Sequence, residues 1–188
     1  MARAGHVGDT ATARAGLIDS APIVRSTALG ALERLASLGD DDLFNSLSDD
    51  DPTVRRRAAE LTAIHPGTDL LPTLDDPDAS VVEMAAWAAG EREEAAAVDR
   101  LSRMAMGDTG HADPLCREAA VAALGAIGDP SGLPAVLAAL EDKPAIRRRA
   151  AVALAAFEGP DVEAALRRCL DDRDWQVRQV AEDLLAVD

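Results

Sequence analysis

The feature that most constrains this fold is a short segment that recurs six times along the chain. The copies start at Val24, Val54, Val81, Cys116, Ile146 and Val177, and the next residue is usually arginine. Successive starts are 30, 27, 35, 30 and 31 residues apart. A recurring spacing of about 30 residues is typical of solenoid proteins, because one unit cannot bury its own apolar face and must stack on its neighbours.

Each copy is predicted to be an α-helix. If the first residue of a copy is position 1, then positions 1, 5, 8 and 12 share one face at 3.6 residues per turn. In the fifth copy these are Ile146, Ala150, Ala153 and Phe157. An aspartate or proline stands just before each start, as Asp51 and Pro52 do before Val54. Aspartate caps the free amides of a first turn, and proline suits the first helical position.

A second, shorter set of helices is predicted between the copies. It comprises Thr10 to Ile18, Asp42 to Leu47, Leu70 to Leu74, Ala95 to Met104, Leu133 to Leu140 and Val162 to Leu170. The prediction is therefore an all-α fold of six antiparallel helix pairs in a single solenoid. The expected repeats cover approximately 6–38, 39–65, 66–91, 92–128, 129–158 and 159–188.

The repeated pattern resembles a known family. Leu-x-Asp, a short turn and then Val-Arg-x-x-Ala-Ala-x-x-Leu-Gly is similar to the HEAT repeat, especially the short bacterial type also found in phycobilin lyase subunits. The resemblance covers essentially the whole chain and implies a right-handed α-solenoid (α/α superhelix). It does not select a function, because such repeats serve scaffolds, chaperones, chromophore lyases and DNA glycosylases.

Composition narrows the function classes. The formal net charge is −15 and only 2% of residues are aromatic. A negative surface repels phosphate, so we expect no nucleic-acid partner and no glycosylase-type basic groove. The sequence shows neither an apolar run of the length of a membrane span nor a signal-peptide core. We therefore expect a cytoplasmic protein without a membrane partner, in which Cys116 and Cys169 are reduced core thiols.

Charged clusters are predicted to be structural. Acidic groups such as Asp49-Asp50-Asp51 recur in the turns but lack the pattern of a calcium loop. Asp49 lies six residues before Arg55, and Asp172 lies six before Arg178. These spacings resemble the Asp–Arg ladder of HEAT turns, so we expect pairing within them. The less committed arginines, Arg56, Arg148 and Arg149, remain candidates for a ligand.

No active site is predicted. The three histidines, His6, His65 and His111, fall in different repeats and form no His-Glu or His-x-x-x-His pair. His111 is close to Cys116 in sequence, but Cys116 occupies core position 1, which disfavours an exposed reactive thiol. We therefore expect no catalytic residue, no cofactor and no metal ion.

The candidate partner surface is the outward side of the repeated helices. In the middle copies this side becomes small and apolar, and it carries Trp87, Val121 and Val152, with Arg56 and Arg148 nearby. Tryptophan is over-represented at binding hot spots. Two alternatives stay open: Trp87 instead fills the junction between repeats three and four, and the extra segment 106–112 is either a binding edge or a plain connector.

The leading hypothesis is a non-catalytic scaffold or adaptor that binds a protein or peptide on its concave face. The alternative, implied by the resemblance, is a chromophore-lyase-like accessory subunit that acts with a second HEAT protein. The sequence leaves the partner's identity and the oligomeric state open.

Overall fold

The protein is described from a computed structural model that covers residues 9–186. The described residues form only helices and turns, so the all-α prediction is confirmed. The α-helices are α1 (Thr10–Ala15), α2 (Pro22–Arg34), α3 (Asp40–Ser46), α4 (Pro52–Thr62), α5 (Ala79–Glu91), α6 (Val98–Ala105), α7 (Pro114–Ile127), α8 (Leu133–Ala139), α9 (Pro144–Ala153), α10 (Pro160–Cys169) and α11 (Trp175–Leu185). Short 3-10 segments lie at Gly16–Ile18, Leu71–Asp75, Ala95–Ala97, Pro130–Gly132 and Leu154–Ala156.

The helix starts follow the predicted capping chemistry. Asp51 accepts a hydrogen bond from the backbone N–H of Thr53 at 2.8 Å, directly before α4. Asp113 and Asp174 do the same before α7 and α11. These bonds satisfy first-turn amides that have no partner inside the helix. The long helices therefore begin where the repeats of the sequence require.

The chain divides into two compact units, Met1–Ala88 and Ala89–Asp188. In the first unit the pairs α1–α2 and α3–α4 are followed by the 3-10 segment Leu71–Asp75 and most of α5. Leu29, Leu43, Val54, Ala58 and Leu61 form one buried cluster between the pairs. Proline lies at the start of the segment Leu71–Asp75, which is only five residues long. The third short helix is therefore a 3-10 segment and not an α-helix.

The second unit pairs α6 with α7, α8 with α9, and α10 with α11. Gly125 of α7 lies against Ala153 of α9 so closely that a Cβ atom on Gly125 would be 2.7 Å from the Cβ of Ala153. Helices with small residues at their contact can approach one another in this way. Small residues at this contact therefore allow the close approach of α7 and α9.

The buried face of the repeated helices is wider than the predicted stripe. Position 5 is fully buried in every copy, as the prediction requires. Position 6 is also buried in five copies, where it is Leu29, Ala59, Ala86, Val121 and Ala151. The second helix packs both on its own partner and on a neighbouring repeat, so it buries two adjoining strips instead of one.

The helices were compared with the length and apolarity of a membrane span. Within residues 9–186, none is long and apolar enough to cross a bilayer.

Candidate partner-binding surface

The predicted outward residues lie at positions 3, 6 and 7 of the repeated helices. Position 7 carries two exposed apolar side chains, Trp87 in the first unit and Val152 in the second. Trp87 is 44% exposed and Val152 is 49% exposed. Much of the indole of Trp87 is thus open to solvent, which favours the surface alternative over a filled junction.

Val121 does not lie on the predicted surface. Its side chain is fully buried, and so are those of Ala86 and Ala151 at the same position of their copies. Position 6 points toward a neighbouring repeat and not outward. The expectation that Val121 contacts a partner is therefore wrong, and its role is in the core.

The two predicted arginines, Arg56 and Arg148, differ in their exposure and in their side-chain contacts. Arg56, at position 3 of the second copy, is exposed. Arg148, at position 3 of the fifth copy, donates from Nη1 to Asp174 Oδ2 and to Gln176 Oε1, both at 3.1 Å. Arg148 is therefore more committed to its neighbours than the sequence indicated. Its side chain still exposes 40% of its area.

A shallow apolar groove lies beside Val152 in the second unit. It has a volume of about 320 Å³ and is lined by Ala122, Gly125, Ala126, Arg149, Val152, Ala153, Ala155 and Ala156. Arg149 is the charged group at this groove, and its Nη2 atom lies 3.7 Å from Glu118 Oε1. Sequence reasoning missed the groove, although glycine at position 10 beside small residues of the next copy was a usable signal. This groove places a cation beside an apolar floor.

A second groove lies between α1 and α3 in the first unit, with a volume of about 570 Å³. Arg14 spans it and donates to Asp42 Oδ1 at 2.8 Å. Ile18, which is 89% exposed, lies along its edge. No pattern in the sequence indicated this groove.

The predicted Arg–Asp ladder exists, but its pairing is different. Arg25, Arg55, Arg117 and Arg147 each hold an aspartate with Nε and Nη2, in the pairs Arg25–Asp49, Arg55–Asp76, Arg117–Asp142 and Arg147–Asp172, at 2.6–3.1 Å. In each pair the arginine belongs to one repeat and the carboxylate to the following turn. Because charge-assisted, bidentate bonds are strong, this ladder fastens successive repeats.

The aspartate six residues before each arginine has another role. Arg55 Nη1 donates to the backbone carbonyl of Asp49 at 2.8 Å, while the Asp49 carboxylate binds Arg25. Likewise, Arg178 Nη1 binds the carbonyl of Asp172, whose carboxylate binds Arg147. The predicted carboxylate pairs Asp49–Arg55 and Asp172–Arg178 are therefore wrong. A six-residue spacing brings the arginine to the backbone of its own turn and leaves the carboxylate for the preceding repeat.

The arginines of the ladder lower the pKa values of the aspartates that they bind. The hydrogen bonds from Arg25 lower the pKa of Asp49 against the opposing effect of burial. Arg117 lowers the pKa of Asp142, and Arg147 lowers that of Asp172, for the same reason. These aspartates thus remain charged partners well into the acidic range.

One step of the ladder lacks its usual residues. Position 2 of the third copy is Val82, and the residue six before Arg117 is His111 instead of aspartate. His111 Nδ1 accepts the backbone N–H of Asp113 at 3.1 Å, and its carbonyl accepts Arg117 Nη1 at 2.8 Å. At the end of segment 106–112, the carbonyl of His111 therefore accepts the ladder arginine in the way that the Asp49 carbonyl accepts Arg55.

The remaining candidate groups are the histidines and the cysteines. His65 Nε2 lies 2.7 Å from Glu33 Oε2, whereas His6 lies outside the described residues. Cys116 and Cys169 are buried, and burial raises the pKa of the Cys169 thiol. Within residues 9–186, no three His, Cys, Asp or Glu side chains are grouped so as to hold a metal ion.

Stacked helix pairs joined by an arginine–aspartate ladder define an α-helical repeat protein. The sequence matches the family of HEAT repeats over residues 67–152 and 109–186. The chain therefore belongs to the HEAT-repeat family. Among curated proteins, no sequence matches it significantly.

Solved structures agree with this assignment. The CpcE–CpcF complex of phycocyanin lyase from Nostoc sp. PCC7120 is 25% identical, with a TM-score of 0.66, over 94% of this chain and 75% of that one. A designed armadillo repeat protein in complex with the peptide (KR)4 is 18% identical, with a TM-score of 0.69 over 94% and 98%. The protein YIBA_ECOLI is 19% identical, with a TM-score of 0.70 over 98% and 72%. These likenesses confirm the predicted helical-solenoid fold class.

Proposed function

We propose that this chain is a non-catalytic scaffold that binds a protein or peptide on the outward side of its repeated helices. The observation that carries the proposal is the exposure of Trp87 and Val152 at the same repeat position. Each unit thus exposes one apolar side chain on this side of a repeated helix, and exposed apolar surface rimmed by polar residues is typical of partner-binding sites. The designed armadillo protein with bound (KR)4 is an example of peptide recognition on a similar fold.

Each unit supplies its own candidate contacts. In the first unit these are Trp87 and Arg56, and in the second they are Val152, Arg148 and the groove with Arg149. An exposed aromatic group supplies contact area at low entropic cost, and arginine supplies directional hydrogen bonds. Val121 has no part in the proposed surface.

The test compares partner capture by matched variants. The wild-type chain and the Trp87→Ala and Val152→Glu variants are used as bait in lysate of the native host, and captured proteins are quantified by mass spectrometry. Trp175→Ala is the control, because Trp175 is a 64% exposed tryptophan at the start of α11. We expect each surface variant to lose a stoichiometric partner that the wild-type chain and the control retain. A partner retained equally by all four chains refutes this surface.

A second candidate is an accessory subunit of a chromophore lyase. It is favoured by the likeness to the CpcE–CpcF complex, which covers 94% of this chain at 25% identity. In that case the captured partner is a second HEAT-repeat protein, and the purified pair binds an open-chain tetrapyrrole with a change in its absorption spectrum. A partner without HEAT repeats, and no spectral change, argues for the scaffold instead.

A further inference from the structure

At one end of the Arg–Asp ladder an arginine lacks a carboxylate partner, and at the other end an aspartate lacks an arginine partner, among the residues that the structure describes. Internal repeats use each arginine as a fork for the aspartate of the following turn, as Arg147 does for Asp172. Arg178 is the ladder arginine of the last copy, and only its Nη1 atom has a described partner, the Asp172 carbonyl at 2.7 Å. Among residues 9–186, no carboxylate lies against its Nε and Nη2 atoms.

Asp19 is the opposite half at the first turn. Its carbonyl accepts Arg25 Nη1 at 2.9 Å, as the Asp49 carbonyl accepts Arg55. Its Oδ1 atom accepts the N–H of Ala21 at 2.9 Å, as Asp49 Oδ1 accepts the N–H of Asp51. Asp19 is therefore held in the same local geometry as an internal ladder aspartate. Within the described part of the chain, it differs in having no arginine on its carboxylate.

The burial of apolar side chains distinguishes the two ends of the repeat array in the same way. Position 1 is buried in the last five copies, but Val24 in the first copy is only half-buried. Position 6 is buried in the first five copies, whereas in the last copy it is the exposed Glu182. Position 1 thus faces a preceding repeat and position 6 a following one. The first repeat presents the incompletely covered Val24 and the Asp19 carboxylate, and the last presents Arg178.

We propose that the first repeat of one copy of this chain docks on the last repeat of another, with Arg178 of one copy binding Asp19 of the next. The missing half of each pair is supplied by the other end of the same sequence. Such a contact is head-to-tail, so each copy uses two different surfaces and assembly continues beyond a dimer unless the rotation closes a ring. This inference is independent of the proposed partner surface.

Glu182 limits the strength of this contact. It occupies a position that is apolar and buried in the other five copies, so docking removes a carboxylate from water. Association is therefore expected to be weak in the wild type. Glu182→Ala restores the residue type found at this position in Ala59, Ala86 and Ala151 and is expected to strengthen association at least about tenfold.

Sedimentation velocity of the 188-residue chain tests the proposal up to millimolar concentration. We expect the wild-type mass to rise with concentration, and Asp19→Asn or Arg178→Gln to weaken association about tenfold or more. The Asp19→Asn substitution keeps a side-chain oxygen that can accept the Ala21 N–H, so the local fold is protected. Arg167→Gln, which removes an exposed pair with Glu163 inside α10, is the control and should behave as the wild type.

Mixing the two variants separates a head-to-tail contact from a symmetric one. The Asp19→Asn chain retains Arg178, and the Arg178→Gln chain retains Asp19, so a mixed pair forms one native contact. We expect the mixture to recover wild-type affinity for that pair but to stop mainly at the dimer. The proposal is overturned if the wild-type and Glu182→Ala chains both remain monomeric up to millimolar concentration. It is also overturned if Asp19→Asn and Arg178→Gln both self-associate as strongly as the wild type.

Discussion

The close approach between α7 and α9 gives the sharpest prediction. Substitution of Gly125 by alanine places a Cβ atom 2.7 Å from the Cβ and 2.9 Å from the Cα of Ala153. Ordinary carbon contacts need roughly 3.5–4.0 Å, so α7 and α9 must separate by about 1 Å. Overpacking of this kind costs about 1–3 kcal/mol. Alanine recovers about 1 kcal/mol of helix propensity over glycine, so we expect a net loss of roughly 0–2 kcal/mol.

Gly30 offers a control with the same substitution in the interior of α2. There a new Cβ atom meets Arg57 Nη2 at 2.6 Å. Arg57 is 29% exposed, so its flexible end can move away. Alanine at Gly30 should therefore change stability between 0 and about +1 kcal/mol.

Urea unfolding followed by circular dichroism measures both variants. Because the propensity gain is common to the two, the difference between them isolates the packing cost, which we expect to be about 1–3 kcal/mol. Equal free energies of unfolding, within about 0.5 kcal/mol, would refute the reasoning that Gly125 is required by helix proximity.

Three further predictions concern the ladder and the surface. Arg117→Met removes one partner of the Arg117–Asp142 pair, whose two side chains are each 7% exposed. We expect the free energy of unfolding in urea to fall by about 3–5 kcal/mol. The control Arg167→Met, at an exposed residue, should lower it by under about 0.5 kcal/mol. Since Arg117 lowers the pKa of Asp142, the pair stabilises the fold above the ordinary carboxyl pKa of about 4 and loses that contribution as pH falls through the lowered value. Thermal unfolding between neutral and acidic pH should show this loss in the wild type and a smaller one in Arg117→Met; equal pH slopes contradict it. Val121→Ala should cost roughly 2 kcal/mol and leave partner capture intact, whereas Val152→Ala should leave stability within about 0.5 kcal/mol; the reverse order in unfolding experiments would contradict the burial assigned to the two valines.

Most of the fold follows from local information. Positions such as Ala150 and Val177 were predicted to be buried because a 3.6-residue period defines one face of a helix whatever it packs against. Helix starts at Asp51 and Asp113 were predictable because capping acts within a few residues. The HEAT-repeat assignment is the sum of such local signals, repeated in register.

The predicted surface was only partly correct because exposure depends on neighbours. Val121 and Val152 occupy adjacent repeat positions and are both valines, but the first is fully buried and the second is 49% exposed. A single-helix projection treats both as outward, because it does not contain the adjoining repeat. Stacking covers Val121 at position 6 and leaves Val152 at position 7 open.

The sequence by itself determined the repeat, the helices, their caps and the use of arginine and aspartate at the turns. Only the tertiary structure decided which aspartate each arginine binds: Arg55 reaches the backbone of Asp49 in its own turn and the carboxylate of Asp76 in the next. The tertiary structure also placed the groove beside Val152 and the close contact at Gly125. The physical reason is that capping and helix periodicity act over a few residues, whereas pairing and exposure are set by which repeat lies beside which.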